Sequence, residues 1–362
     1  MGHRGYRFRA RRRRRLFGTE PASVWELERP WLASARQSIT MSEVASRWSA
    51  PDGKERAEGI FRRLLAGDRL DDLRLGEHDG RVDLRGIRTP PPERLETLVK
   101  HGWVVAELGG LLKFESVKLA DLDFSWGLLE SLRFFNTTVN NCRFDGARCR
   151  DWRLWAVDVT DTSFFGADMR KAVLGAWYQG RGEVYRRVSF SGANLRSIVC
   201  PTATFIDCDF GDAQLAKVDF QSSSFIRCRF AGLLREVMFY DHGFKTGKPD
   251  PNPMEDVDFS QAELRWVEFR RPDLDRVELP KSTDHLVVHD YRCVLEGAIR
   301  ELQSDARRKG LRAVMEHRLK WAGPHQAQGE FNRRDFVEVA DEAEAEFAVG
   351  LLRRLEAECA GK

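Results

Sequence analysis

The chain has 362 residues, 32% of them charged, with 59 Lys/Arg against 56 Asp/Glu and a formal net charge of +3. Such a length buries a substantial core and allows two or three domains. No run of 18 apolar residues occurs, which excludes a membrane-spanning helix and leaves a chain read as having no membrane partner. The balance is uneven: residues 1–111 carry 22 basic and 16 acidic side chains, residues 112–280 carry 23 and 25, and residues 281–362 carry 14 and 15.

The basic excess sits in MGHRGYRFRARRRRRLF. Residues 1–16 read as an unstructured basic arm, with Arg11, Arg12, Arg13, Arg14 and Arg15 as candidate phosphate contacts. No apolar stretch follows, as an export signal would need. The seven cysteines are odd in number and fall mostly at inward positions of the pattern below, so they read as buried thiols in a reducing compartment. The expected localisation is cytoplasmic. Thr40-Met-Ser-Glu43 is a capping box that opens a helix stopping before Pro51. Asp52 to Glu55 opens another that ends near Gly67. Residues 1–69 are therefore expected to be an arm followed by helices.

From 70 to 280 a different rhythm takes over. Residues 70–111 look like a degenerate first coil, with DLRLG and VDLRG, interrupted by a helix over 91–101. From Phe114 a large apolar residue returns every fifth position: Phe114, Leu119, Phe124, Leu129, Phe134, Val139, Phe144 and onward to Leu174. The same beat holds from Phe190 to Phe230 and from Phe259 to Leu279. Two residues before each of these centres stands a small or compact apolar residue, as at Ala147, Ala167, Ala193 and Val218. A helix wants a period of 3.6 and a half-buried strand a period of 2. Two inward residues in five describe a very short strand followed by a turn. Four such sides close a coil of twenty residues. Residues twenty apart agree: Phe124, Phe144 and Phe164, then Phe190, Phe210 and Phe230. Phe144 and Phe210 are predicted to be fully buried.

With ANLRS from Ala193, ADMRK from Ala167, AELRW from Ala262 and VDFQS from Val218, the chain resembles the pentapeptide-repeat proteins. That resemblance implies a mainly β fold, a right-handed quadrilateral β-helix, here with helical N-terminal and C-terminal flanking regions. The Asp or Asn before each centre is expected to hydrogen-bond turn backbone rather than to serve as an acid or base.

Two stretches break the beat, 175–187 and 240–256, and are expected as protruding loops that return in phase. Their cations Arg181, Arg186, Arg187, Lys245 and Lys248 are candidate binding residues. After Leu279 the beat ends, and residues 281–362 read as an α-helical C-terminal lobe. With the first loop taken in phase, one outward column reads Glu115, Phe135, Trp155, Gly175, Ile206 and Ile226. Phe135, Trp155, Ile206 and Ile226 would then form an apolar stripe awaiting a cover from the chain's own helices or from a partner.

No Walker loop, Gly-x-Ser-x-Gly or dinucleotide fingerprint occurs. His285, His289 and Cys293 would be the metal candidate, but their spacing is no standard zinc pattern and packing is the preferred reading. No enzyme, cofactor or metal is expected. The favoured function is a protein-interaction scaffold whose partner and oligomeric state the sequence does not name. The resemblance also implies an alternative: a DNA-mimicking regulator or protector of a type II topoisomerase such as DNA gyrase. Against it, the repeat region is only two charges negative and has no acidic column. A third reading is a nucleic-acid partner held by the arginine arm.

Overall fold

The computed structural model describes residues 41–90, 104–105, 111–240, 253–270, 274–323 and 326–360. The arginine arm, the helix expected over 91–101, and Lys245 and Lys248 lie outside the described residues. Met41–Lys362 forms one compact unit.

Its centre is a β-helix-like solenoid of parallel-paired short strands. Centres stack in four columns. One runs Phe114, Phe134 and Leu154, then through Leu174, Cys200 and Phe220 to Phe239 and Phe269. The next runs Leu119, Val139, Val159, Tyr185, Phe205, Phe225 and Met254. The third is a ladder of seven phenylalanines, Phe124, Phe144, Phe164, Phe190, Phe210, Phe230 and Phe259. Their successive ring centroids are 4.7–5.4 Å apart. That spacing is the interstrand distance of a sheet, so the rings stack because the backbones pair. The fourth column follows Leu129, Cys149, Met169, Leu195, Leu215, Leu234 and Leu264. Phe144 and Phe210 are buried, as predicted.

Local chemistry explains the five-residue side. The Asp or Asn before a centre accepts from the N–H two residues on, as Asp123 does from Ser125 at 2.9 Å, Asp209 from Gly211 at 2.9 Å and Asp258 from Ser260 at 2.7 Å. The second residue after a centre turns the corner in the left-handed region, as at Asp161, Asp207 and Arg227, with φ of 50°, 54° and 51°. At the compact inward position, thiols and hydroxyls point at carbonyls one coil back. Cys208 Sγ lies 3.5 Å from Tyr185 O, Cys228 Sγ lies 3.5 Å from Phe205 O, and Ser223 Oγ donates to Cys200 O at 2.6 Å.

The ends are closed differently. At the N-terminal end Arg81–Asp83 pairs with Leu122–Asp123, and Leu84 and Ile87 extend the core. Two helices, α1 (Met41–Ser46) and α2 (Pro51–Ala66), lie over this coil, and Ile60, Phe61, Leu64 and Leu65 join the same core. The helix begins at Pro51 rather than at an Asp52 cap, since proline's fixed φ and missing N–H suit the first helical position. Gly67 ends it at φ 77°.

The C-terminal lobe has its own core. A strand His285–His289 pairs antiparallel with Gln328–Asn332, beside α3 (Tyr291–Leu302), α4 (Lys309–Trp321), α5 (Arg333–Val339) and α6 (Glu342–Cys359). Residues 335–358 read as one helix from the sequence, with Phe336, Ala340, Ala343, Phe347, Leu351 and Leu355 on one apolar face, but the backbone leaves the helix at Ala340, so that face is broken and Ala340 and Ala343 are exposed. Reading every cysteine as a thiol also needs correcting. Packing of α3 on α6 brings Cys293 and Cys359 into a disulfide across 66 residues, while the other five cysteines are buried and free. Nor do the metal candidates converge: His285 Nδ1 meets Glu330 at 2.7 Å, His289 Nδ1 meets Glu356 at 2.9 Å, and Cys293 is in the disulfide.

The lobe meets the last coil through polar groups. Asn332 donates to Leu264 O at 2.8 Å, Arg318 to Val267 O at 2.7 Å and Gln326 to Phe269 O at 3.0 Å. These carbonyls have no further coil to pair with, so side chains satisfy an edge that would otherwise stay open. Arg270 closes the seam between the rings of Tyr240 and Trp321, 4.6 and 4.2 Å from their centroids. Among the described residues, no helix is long and apolar enough to cross a membrane.

Candidate functional site

The register across the first interruption decides what the outer surface presents. Val184–Arg186 is a strand, paired with Asp158–Thr160 on one side and Thr204–Ile206 on the other. Tyr185 is therefore a centre, and the interruption ends before it rather than at 187. Eleven residues separate Leu174 from Tyr185 where five would serve, and the surplus of six does not return in phase. The expected apolar stripe consequently splits. Phe135 and Trp155 follow the Phe114 column, while Ile206 and Ile226 follow the Leu119 column on the neighbouring side. All four are half-buried. Arg186 and Arg187 belong to the coil, and of the first-loop cations only Arg181 sits on the insertion.

The insertion folds back over Phe135 and Trp155. These rings stack at 4.3 Å between centroids and 4° between planes, and Tyr178 meets Phe135 edge-on at 5.9 Å. Gln179 accepts from Asn136 Nδ2 at 3.3 Å. Arg181 donates to Asp158 at 2.9 Å and to the Ala156 carbonyl. Gly182 passes so close to the next coil that a Cβ there would lie 2.1 Å from Thr202 O. Tyr178 and Arg181 bridge across a turn at Gln179–Gly180, and Trp177, next to Tyr178 in the chain, is 36% exposed.

Beneath the insertion lies Glu183. It occupies the compact inward position, where the other coils place Val117, Thr137, Val157, Ala203 and Ser223 on this side, and it is completely buried. Its carboxyl accepts from Ala156 N at 3.1 Å and Ala176 N at 2.6 Å. Burial pushes its pKa up to about 8, against the pull of those two amides. Tyr185 donates its hydroxyl to Leu174 O at 2.8 Å, across the base of the same excursion. One carboxyl and one phenol thus satisfy backbone groups exposed when the chain left the coil.

The second interruption leaves from Phe239 in the Phe114 column and returns at Met254 in the Leu119 column. Both interruptions therefore belong to one edge of the solenoid. The remaining outward charges are largely spent on each other across coils: Arg187 with Asp161 at 2.5 Å, Arg227 with Asp207 at 2.6 Å and Arg276 with Asp256 at 2.5 Å. Burial raises the pKa of Cys149, Cys200 and Cys208 well above the usual thiol value, so none of them is poised as a nucleophile at neutral pH.

Residues 186–221 match the family model described as Pentapeptide repeats, in eight copies. That stretch of the chain carries pentapeptide repeats. No curated protein matches it. Solved structures similar to it include a trypsin-treated form of QnrB1, described as a plasmid-mediated fluoroquinolone resistance protein. That pair is 13% identical over 52% of this chain and 91% of the other, with a TM-score of 0.34. HetL from the cyanobacterium Nostoc sp., described as involved in heterocyst differentiation regulation, is 15% identical over 47% and 90%, with a TM-score of 0.21. Rfr23 from the cyanobacterium Cyanothece is 7% identical over 46% and 90%, with a TM-score of 0.18.

Proposed function

We propose that the protein is a non-enzymatic scaffold, a right-handed quadrilateral β-helix that offers its interrupted edge to a protein partner. The observation that carries this reading is the aromatic cluster of Phe135, Trp155 and Tyr178, with Trp177 exposed next to Tyr178 in the chain. Aromatic side chains held rigid at low entropy cost are the common anchors of protein interfaces. The insertion costs a buried carboxyl at Glu183, which an ordinary five-residue side would not need. Affinity capture from the native host with wild type and with Trp177→Ser is the test. Discrete partners held by wild type and lost from the variant support the edge as the binding surface; the same partners on both would remove it.

The topoisomerase reading, with the fluoroquinolone link of QnrB1 carried over to this chain, is less well supported. A duplex mimic needs a strong negative field, and the pairs Arg187–Asp161, Arg227–Asp207 and Arg276–Asp256 cancel that field locally. A gyrase supercoiling assay with and without a fluoroquinolone is expected to show neither inhibition nor rescue by this protein.

A further inference from the structure

One side of the solenoid escapes the cancellation. Over the coils centred on Cys149, Met169, Leu195 and Leu215, its outward positions hold Arg148, Arg150, Arg170, Lys171, Arg196 and Lys217 against Asp151 and Asp168. The other three sides of the same coils are neutral or one charge negative. Both acids are already engaged: Asp168 accepts from Arg150 at 2.6 Å and Arg170 at 2.8 Å, and Asp151 is held by Arg133 at 2.9 Å and Arg153 at 2.7 Å. Arg148, Lys171 and Arg196 are exposed and have no carboxylate partner among the described residues. Arg196 bonds only Asn194, at 3.1 Å, and Lys217 reaches Glu236 only at 3.9 Å.

We propose that this side binds the sugar–phosphate backbone of a single-stranded nucleic acid. Coil stacking repeats this side every 4.7–5.4 Å, with Arg150, Arg170 and Arg196 in one row, Arg148 on one flank and Lys171 and Lys217 on the other. A nucleic-acid strand carries a charge on every unit, about 3.4 Å apart in a stacked strand and further when extended, so it meets such a row whatever its sequence. An extended acidic peptide places same-side residues about 6.6 Å apart, out of step with the row. The twelve outward residues of this side include no aromatic and no large aliphatic side chain, so it offers no apolar anchor to a protein partner.

The test uses the full chain and a fluorescein-labelled oligothymidylate, with anisotropy read over a series of salt concentrations. Wild type is expected to bind at low salt. Arg148→Gln, Lys171→Gln and Arg196→Gln together should weaken binding by about tenfold or more and flatten the log–log salt slope by about 2, since each phosphate contact on a single strand contributes about 0.7. The Arg148→Lys and Arg196→Lys variant should bind nearly as wild type. Replacing Arg11 to Arg15 with Ser in the full chain separates the arm from this side. Circular dichroism melts establish that each variant is folded. No binding by wild type, an unchanged slope in the folded triple variant, loss only when the arm is changed, or equal displacement by polyglutamate would each overturn the proposal.

Discussion

The phenylalanine ladder and the Leu174–Tyr185 crossing place side chains in the same core and solve the problem in opposite ways. The ladder repeats one solution seven times, and both interruptions leave it intact because they occur on another edge. The crossing is a single event. It inserts six residues, puts a tyrosine where other coils put Leu, Val, Phe or Met, and buries a carboxyl where others bury Val, Ala, Thr or Ser. Repetition gives this protein its stability, and the departure from repetition gives it a distinctive surface.

The largest expected effect lies in the ladder. Phe210→Ala should cost about 3–5 kcal/mol, the usual transfer and cavity loss for a buried phenylalanine. A denaturant melt that shifts by less than about 1 kcal/mol would mean that the ring does not pack as described. Next comes the carboxyl at the crossing. Glu183 has a folded pKa of about 8, above the ordinary 4.5, so the folded chain keeps a proton that the unfolded chain has released. Its contribution is therefore fully present below the unfolded value and is lost as pH rises toward the folded one. Stability should fall on the order of 3 kcal/mol between about pH 5 and about pH 9, and Glu183→Gln should flatten that slope. A wild-type slope identical to that of the variant would assign the pH dependence elsewhere.

Smaller effects sharpen the contrast further. Tyr185→Phe removes the hydroxyl from Leu174 O and should cost about 1–2 kcal/mol, with the column otherwise unchanged. Arg187→Ala removes an exposed pair with Asp161 and should cost less than about 1 kcal/mol in the same melts.

The sequence made the coil legible because Phe and Leu recur at fixed intervals and each interval is enforced by burial. It made the crossing only half legible. Taking the first loop in phase puts Phe190 on the side that follows Leu174, a side that Tyr185 in fact occupies. The twenty-residue comparison would have succeeded: Tyr185, Val188 and Phe190 precede Phe205, Cys208 and Phe210 by twenty. Arg186 and Arg187 disguised the strand as part of a loop. Glu183 gave no signal, since a glutamate in the stretch GRGE reads as solvent-facing until its burial is seen. The disulfide was equally hidden, because Cys293 and Cys359 meet only through the packing of two helices in the lobe. The lobe's polar grip on the last coil depends on which carbonyls lack a successor, and only the end of the stack reveals that.

The central claim is that the coil register is continuous through Tyr185 and that the insertion stands outside it. Deleting residues 176–181 together with Glu183→Ala leaves Leu174 and Tyr185 five residues apart, with an alanine at the compact inward position as in the regular coils. A thermal melt of this variant should be cooperative, with a midpoint at or above that of wild type. Loss of the cooperative transition would show that the insertion is part of the coil and that the register is wrong.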